Sequence, residues 1–171
     1  MKINQTEAER HVLAITVDNE AGILAKIAGL FTARGYNIDS LTVADITENH
    51  AVSRITIVTG GPPAVIDQIH AQLDRLVPVH KVVDLTAEGP HVERELALVK
   101  VAGTGEKRVE ALRLADIFRA RPVDTTTESF IFEITGPPEK VDSFVGLMRE
   151  LGLVEVGRTG IVGMMRGAQG A

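Results

Sequence analysis

The stretch that decides the fold runs from Val12 to Leu41 and reads VLAITVDNEAGILAKIAGLFTARGYNIDSL. At its start, apolar residues occupy every second position, at Leu13, Ile15 and Val17. Farther on they recur at helical spacing, at Ile23, Leu24, Ile27, Leu30 and Phe31. The change of period predicts a strand that leads into a helix through a short polar turn.

The polar turn, residues 18–22, is the first candidate binding site. Asp18 and Asn19 are residue types that cap helix starts, and Gly22 lets a backbone approach closely. Because a helix start presents unpaired N–H groups and a partial positive charge, a carboxylate or a phosphate is a suitable guest. Water alone is the alternative occupant.

The composition narrows the classes of function. The net charge of −5 argues against a general nucleic-acid binder, and the aromatic content of 4% offers no platform for stacking bases. The 171 residues include no cysteine, which excludes disulfides and thiolate chemistry and is compatible with a reducing cytoplasm. No apolar run approaches the roughly 20 residues of a membrane span. We therefore expect a cytoplasmic protein that binds small molecules or other proteins, with no nucleic acid and no membrane contact.

The first half of the chain has the pattern βαββαβ. We predict a strand at 11–17, a helix at 22–34, a hairpin of strands at 36–46 and 51–59, and a second helix after Gly60-Gly61-Pro62-Pro63. A fourth strand follows, with apolar residues at Val77, Val79, Val83 and Leu85. Glu88-Gly89-Pro90 then marks a boundary.

The second half repeats this pattern. It predicts strands at 96–102, 121–127 and 129–135, a helix at 107–119, and a Gly136-Pro137-Pro138 breaker that lies 75 positions after the first one (138 minus 63). We therefore predict an α+β fold of two ferredoxin-like βαββαβ layers, each an antiparallel sheet with its helices on one face. The predicted divisions are a leader at 1–10, a first domain at 11–86 and a second domain at 91–171.

Three further expectations concern self-association, the strand that contains Pro122 and the glycine-rich residues 157–167. A layer of about 75 residues gains few kcal/mol from its own core, so we expect self-association through sheet edges or helix-free faces. Pro122 withholds a ladder N–H, so its strand should begin late or lie at an edge. Residues 157–167 contain four glycines and form either a flexible tail or a segment that a partner orders.

The sequence contains no self-contained active site. The histidines at 11, 50, 70, 80 and 91 form neither an i, i+4 pair nor a cluster with carboxylates, which predicts structural or solvated roles. Gly103-Thr104-Gly105-Glu106-Lys107 opens a helix but lacks the spacing of a phosphate-binding loop. No serine stands in a nucleophile elbow.

Several motifs together resemble the ACT domain of the small, regulatory subunits of acetolactate synthase (acetohydroxyacid synthase). In the first half these are DNEAGIL at 18–24, GLF at 29–31, RGYNI at 34–38 and SLTV at 40–43. In the second half they are HVEREL at 91–96, LVK at 98–100, DIFR at 116–119, RTG at 158–160, Gly163 and RG at 166–167. The resemblance covers nearly the whole chain, and it implies an ACT domain followed by an ACT-like domain.

The resemblance implies a feedback subunit that binds valine, leucine or isoleucine and controls a separate catalytic subunit. That partner would join pyruvate to a second 2-keto acid with thiamine diphosphate, Mg²⁺ and FAD, while this chain would hold no cofactor, no metal and no catalytic residue. Carried over by motif, the effector lies between two ACT domains of a homodimer. One copy would contribute Asn19, Ala21, Gly22, Ile23 and Leu24, and the other Asn37 and Ile38.

Two alternatives remain open from the sequence. A free-standing tandem ACT sensor could act on another enzyme or on transcription, although the sequence has no helix-turn-helix segment and no basic face. An enzyme on a ferredoxin-like scaffold is the third possibility, and the missing catalytic constellation argues against it.

Overall fold

The computed structural model describes residues 9–170, so most of the leader predicted at 1–10 lies outside the described residues. These residues divide into two compact units. The first comprises the described residues up to Val92 together with those from Ile161 onward, and the second is Glu93–Gly160. The predicted division at 91–171 instead assigned the whole C-terminal tail to the second domain.

The first unit has the predicted βαββαβ order. In chain order its elements are β1 (Glu9–Asp18), α1 (Ile23–Ala33), β2 (Ser40–Asp45), β3 (Val52–Gly61), α2 (Pro63–Leu73), β4 (Val79–Asp84) and the short α3 (Leu85–Glu88). The strands form an antiparallel sheet in the order β2-β3-β1-β4. Leu85, which we expected in the fourth strand, begins α3 instead, because Asp84 accepts hydrogen bonds from the amides of Thr86 and Ala87 and caps that helix.

The helix-facing side of this sheet carries the main core of the first unit. The period-two residues Leu13 and Ile15 pair with Ile57 and Ile55 across the ladder, and all four are fully buried. The apolar stripes of α1 and α2 cover them; the buried residues of these stripes are Ile23, Ile27, Phe31, Ile66, Ile69 and Leu73. The two periodicities of the sequence therefore meet in one core.

The second unit repeats this architecture. Its elements are β5 (His91–Ala102), which starts at the end of the first unit, α4 (Gly105–Ile117), β6 (Arg121–Thr125), β7 (Ser129–Gly136), α5 (Pro138–Leu151) and β8 (Leu153–Arg158). The strand order is β6-β7-β5-β8, again antiparallel. Both Gly-Pro-Pro segments start a helix in the same way, with extended Pro62 and Pro137 at the cap positions of α2 and α5.

The core of the second unit contains an aromatic cluster. Phe132 meets Phe144 edge to face with ring centroids 6.0 Å apart, and Phe118 lies 5.6 Å from Phe144. Ala111 and Ala115 of α4 face this core and are buried, whereas Leu112 and Ile117 on the same helix are exposed. The buried carboxylate of Glu95 is ion-paired with Arg158, and this hydrogen bond raises the pKa of that guanidinium.

Pro122 lies on an edge strand, which pairs on one side only, so its missing N–H removes few ladder hydrogen bonds. Its strand, β6, is at the edge of the second sheet, and the ladder with β7 shifts register between Pro122 and Asp124. The edge position is confirmed, although the strand begins at Arg121 rather than late.

The glycine-rich segment 157–167 is ordered rather than flexible, and its ordering by a partner stays a prediction. Residues Val162–Met165 form a last strand, β9, that pairs with β5 off the main path of the sheet. Ile161 is buried against Val12, Ala14, Val58 and Leu85. The helix-free face of the first sheet, which we expected to drive self-association, is therefore partly covered from within the same chain.

None of the helices in residues 9–170 has the length and apolarity that crossing a membrane requires.

Two glycines, Gly152 at the end of α5 and Gly146 inside it, test where the second unit requires a residue without a side chain. Gly152 ends α5 with φ +106°, and a Cβ built there would lie 2.1 Å from the carbonyl oxygen of Ala102. Gly152→Ala should lower the free energy of unfolding by more than about 2 kcal/mol, because it combines a left-handed backbone with a clash against main chain. Urea denaturation followed by far-ultraviolet circular dichroism measures this.

The matched control is Gly146→Ala inside α5, where a Cβ meets nothing within 4 Å. This change should stabilise the unit by about 0.5–1 kcal/mol, because alanine is the better helix former. Equal effects at the two positions would contradict the assignment of Gly152 as the residue that the turn requires.

Candidate functional site

The turn between β1 and α1 is held in place by the loop before β3. The backbone N–H of Asn19 donates to the carbonyl of Ala51 at 2.8 Å, and its side-chain Nδ2 donates to the carbonyl of His50, also at 2.8 Å. A side-chain amide that donates through its nitrogen keeps its oxygen as an acceptor. Asn19 is exposed, so this acceptor lies at the surface beside the start of α1.

Gly22 gives α1 an open N-terminus. It is the N-cap residue, with φ 86° and ψ −4°, a conformation that other residues rarely adopt. The N–H groups of the first turn, which include Leu24 and Ala25, have no acceptor within an α-helix. Because residues 19–22 are all exposed, the helix start faces solvent. This geometry suits an anion.

The two carboxylates of the turn, Asp18 and Glu20, are paired with other side chains and not with the amides at the start of α1. The carboxylate of Asp18 accepts from His80 Nε2 at 2.6 Å, and the carboxylate of Glu20 lies 3.3 Å from the Lys26 ammonium. The first turn of α1 contains no acidic residue. The partial positive charge of the helix start is therefore not offset from within that turn.

The apolar residues of the predicted site differ in how far their side chains are exposed. Ile23 is 6% exposed and its side chain belongs to the core of the first unit, so it can offer a ligand its backbone but little side-chain surface. Leu24 is 40% exposed, and Ala21 is also exposed. Of these residues, Leu24 offers the largest exposed side chain for an apolar ligand group.

The second predicted segment, Asn37–Ile38, precedes β2. The carbonyl of Asn37 accepts from the Thr59 hydroxyl at 2.7 Å, and its side-chain Nδ2 donates to the Asp39 carboxylate. The exposed side chain of Asn37 thus keeps its own oxygen as an acceptor, as Asn19 does. Ile38 is half-buried against the core of the first unit.

Within one chain the two segments lie at opposite ends of the first sheet. Asp18, the first residue of the turn, pairs with Val52, whereas Ser40, two residues after the second segment, pairs with Val58. Val52 and Val58 are six positions apart on β3 (58 minus 52), which corresponds to about 20 Å of antiparallel strand. A single copy of the first unit therefore does not bring the seven predicted residues together.

The structure adds residues that the sequence gave no reason to choose. His50 and Thr59 hold Asn19 and Asn37, and His80 pairs with Asp18. Each contact joins positions at least 22 residues apart, so no local spacing signals it. Within residues 9–170, no group of three histidine, aspartate or glutamate side chains is placed to hold a metal ion.

Comparisons with known proteins agree across both units. Residues 13–81 match a family described as the AHAS small subunit-like ACT domain, and residues 94–167 match one described as the small subunit of acetolactate synthase. The chain is 48% identical to a probable acetolactate synthase small subunit of Archaeoglobus fulgidus over 92% of this chain and 98% of that one. It is 43% identical to the small subunit of acetolactate synthase isozyme 3 of Escherichia coli over 92% and 96% of the two chains.

A solved structure is similar along nearly the full length. The small subunit of acetolactate synthase from Thermotoga maritima is 38% identical and superposes with a TM-score of 0.84, over 94% of this chain and 99% of that one.

Gly22 provides a direct test of the turn. Gly22→Ala should lower the free energy of unfolding by about 1–2 kcal/mol, the cost of a left-handed backbone for a residue with a Cβ. Gly22→Asn should cost less, because asparagine visits this conformation more readily. A Cβ at this position meets nothing within 4 Å, so a clash inside the chain cannot be the cause. Chemical denaturation measures both values, and an unchanged stability in Gly22→Ala would show that the turn does not depend on this conformation.

Proposed function

Because the chain belongs to the family of acetolactate synthase small subunits, we propose that it binds valine, leucine or isoleucine and regulates a separate catalytic subunit in response. The family name places the protein in branched-chain amino-acid biosynthesis, and a small subunit implies a catalytic large subunit as its partner. The proposal concerns the ligand, the position of its site and the regulation.

The observation that carries the proposal is the separation of the two binding segments along the first sheet. A gap of about 20 Å is much longer than any free amino acid, so residues 19–24 and 37–38 of one chain cannot hold the same molecule. They can do so only if a second copy supplies one of the two segments. This supports a site between two ACT domains of a homodimer.

The edge of the sheet offers a geometry for such a dimer. Among the described residues β2 pairs with β3 alone, and its ladder runs without a register shift from Ser40 to Asp45. Two β2 edges that pair antiparallel about a two-fold axis would place the Ser40 end of one copy beside the Asp45 end of the other. Asp45 pairs with Ser53 at the end of the sheet from which Asn19 emerges.

This arrangement would surround an amino acid with complementary groups. The open amides at the start of α1 would receive the carboxylate, and the side-chain oxygens of Asn19 and of Asn37 from the other copy would accept from the ammonium. Leu24 would contact the aliphatic side chain. A ligand held by both copies stabilises the dimer, and this linkage is how binding would reach the catalytic subunit, with a coupling of roughly 1–3 kcal/mol.

In this proposal the chain itself catalyses nothing. The catalytic subunit would carry thiamine diphosphate, Mg²⁺ and FAD and join pyruvate to a second 2-keto acid. The small subunit would activate it when free of effector and withdraw that activation when effector is bound.

The proposal is tested with purified chain and purified catalytic subunit. Isothermal calorimetry should detect binding of at least one branched-chain amino acid, and the same amino acid should inhibit acetolactate formation by the reconstituted enzyme. Glycine and glutamate serve as ligand controls, since one lacks the aliphatic group and the other carries a second carboxylate. Absence of both heat and inhibition would overturn the proposal.

Gly22→Asp should abolish the response while the reconstituted enzyme stays activated, because bulk and a negative charge then face the carboxylate of the effector. Gly22→Asn is the matched control: it has nearly the same size and no charge. We expect the aspartate variant to bind the effector at least about tenfold more weakly than the asparagine variant, the equivalent of about 1.4 kcal/mol. Full inhibition of the aspartate variant by wild-type effector concentrations would contradict the position of the site.

A mixing experiment tests whether the site is shared between two chains. Gly22→Asp disables the turn and Asn37→Ala weakens the second segment, so a homodimer of either variant has two defective sites. A mixed dimer has one site with both defects and one with neither, so mixing the two variants under subunit exchange should restore high-affinity binding to part of the sites. No recovery in dimers shown to be mixed by mass spectrometry would indicate that each site lies within one chain.

A further inference from the structure

The segment Ile161–Arg166 lies on the helix-free face of the first sheet, and we name it the C-terminal strap. Ile161 is 7% exposed and packs with Val12, Ala14 and Val58. The N–H of Arg166 donates to the carbonyl of Pro90 at 3.1 Å. These contacts join positions about 70 to 150 residues apart, and the strap belongs to the first unit.

Gly163 lets the strap approach the sheet closely. A Cβ at this position would lie 2.6 Å from Leu85 Cδ1 and 3.2 Å from Val12 Cγ1, and both of these side chains are fully buried. Neither can move aside without disturbing the core. The close approach therefore requires a residue without a side chain.

Two hydrogen bonds fix the strap along the sheet. The carbonyl of Gly163 accepts from the Nη2 of Arg54 on β3 at 2.9 Å. The N–H of Ile161 donates to the hydroxyl of Ser40 at 2.9 Å. Arg54 is half-buried, and burial lowers the pKa of its guanidinium, so a fixed carbonyl partner offsets part of the desolvation.

The Ser40 contact lies next to one of the proposed effector segments. Ser40 is two residues after Ile38 and begins β2. It pairs with Val58, which packs against Ile161 and whose carbonyl accepts the N–H of Asp39 at 2.8 Å. The strap thus contacts both Ser40 and Val58, and this residue pair directly follows the segment Asn37–Asp39.

We propose that the C-terminal strap positions the segment Asn37–Asp39 through Ser40 and Val58, so that seating of the strap and binding of an effector at this segment favour each other. The part that concerns effector binding rests on the proposed function, whereas the positioning itself does not. If the strap orders this segment before the ligand arrives, the ligand does not have to order it. Linkage then requires the reverse effect: a bound effector holds the strap in place.

Hydrogen exchange followed by mass spectrometry and nuclear magnetic resonance tests the positioning on the full chain without any ligand. Gly163→Ala should unseat the strap and speed exchange of the Ile161 and Asp39 amides by at least about tenfold, because both hydrogen bonds then open more often. Gly157→Ala is the matched control: this glycine lies on β8, and a Cβ there meets nothing within 4 Å. Gly157→Ala should leave the exchange rates of the Ile161 and Asp39 amides unchanged.

Ser40 provides a second pair of variants that does not depend on packing at Gly163. Ser40→Ala removes the acceptor for the Ile161 amide, and Ser40→Thr keeps it and should restore slow exchange. Ser143→Ala is the control, because that hydroxyl is exposed and bonds to Glu139 within its own helix. Calorimetry with the effector should give a dissociation constant raised at least about threefold in Ser40→Ala, equivalent to about 0.6 kcal/mol, with recovery in Ser40→Thr.

The outcomes separate this inference from the proposed function. Faster exchange at Ile161 with unchanged exchange at Asp39, in both Gly163→Ala and Ser40→Ala, would show that the strap only covers the sheet and would overturn the proposal. If Gly163→Ala fails to fold or fails to unseat the strap, the Ser40 variants decide. If the wild-type chain binds no branched-chain amino acid, the proposed function is wrong, and the exchange of Asp39 still decides whether the strap positions the segment.

Discussion

The antiparallel ladder between β1 and β3 is the constraint on which the rest of the first unit depends. It pairs Glu9 with Gly61 at one end and Asp18 with Val52 at the other without a register shift. Because side chains alternate along each strand, this register directs Leu13 and Ile15 toward the helices and Val12 and Ala14 toward the strap. A slip of one residue would exchange these two sets.

The same ladder decides where the functional segments can lie. β3 is shared by β1 and β2, so the turn that follows β1 and the segment that precedes β2 are fixed at its two ends. The fold thus keeps the two candidate segments of one chain apart. The proposed homodimer would therefore follow from this topology, with the β2 edge that is unpaired among the described residues as its contact.

The turn before α1 is built from a few backbone and side-chain groups. A glycine in the left-handed region opens a helix start, one carbonyl orients the Asn19 amide, and the two neighbouring carboxylates are tied to His80 and Lys26. The arrangement leaves backbone N–H groups at the helix start available to an anion.

The local sequence determined the elements of this protein and the kind of contact that each can make. Changes of hydrophobic period predicted the strands and helices, the two Gly-Pro-Pro segments predicted the starts of α2 and α5, and Pro122 predicted an edge strand, because each property depends on a few neighbouring residues. Tertiary structure decided that His50 orients Asn19, that Asn19 and Asn37 lie at opposite ends of a sheet, and that the glycine-rich tail returns to the first unit. Those features depend on contacts between distant residues, such as Ser40 with Ile161, which are 121 positions apart, and such contacts leave no periodic trace in the chain.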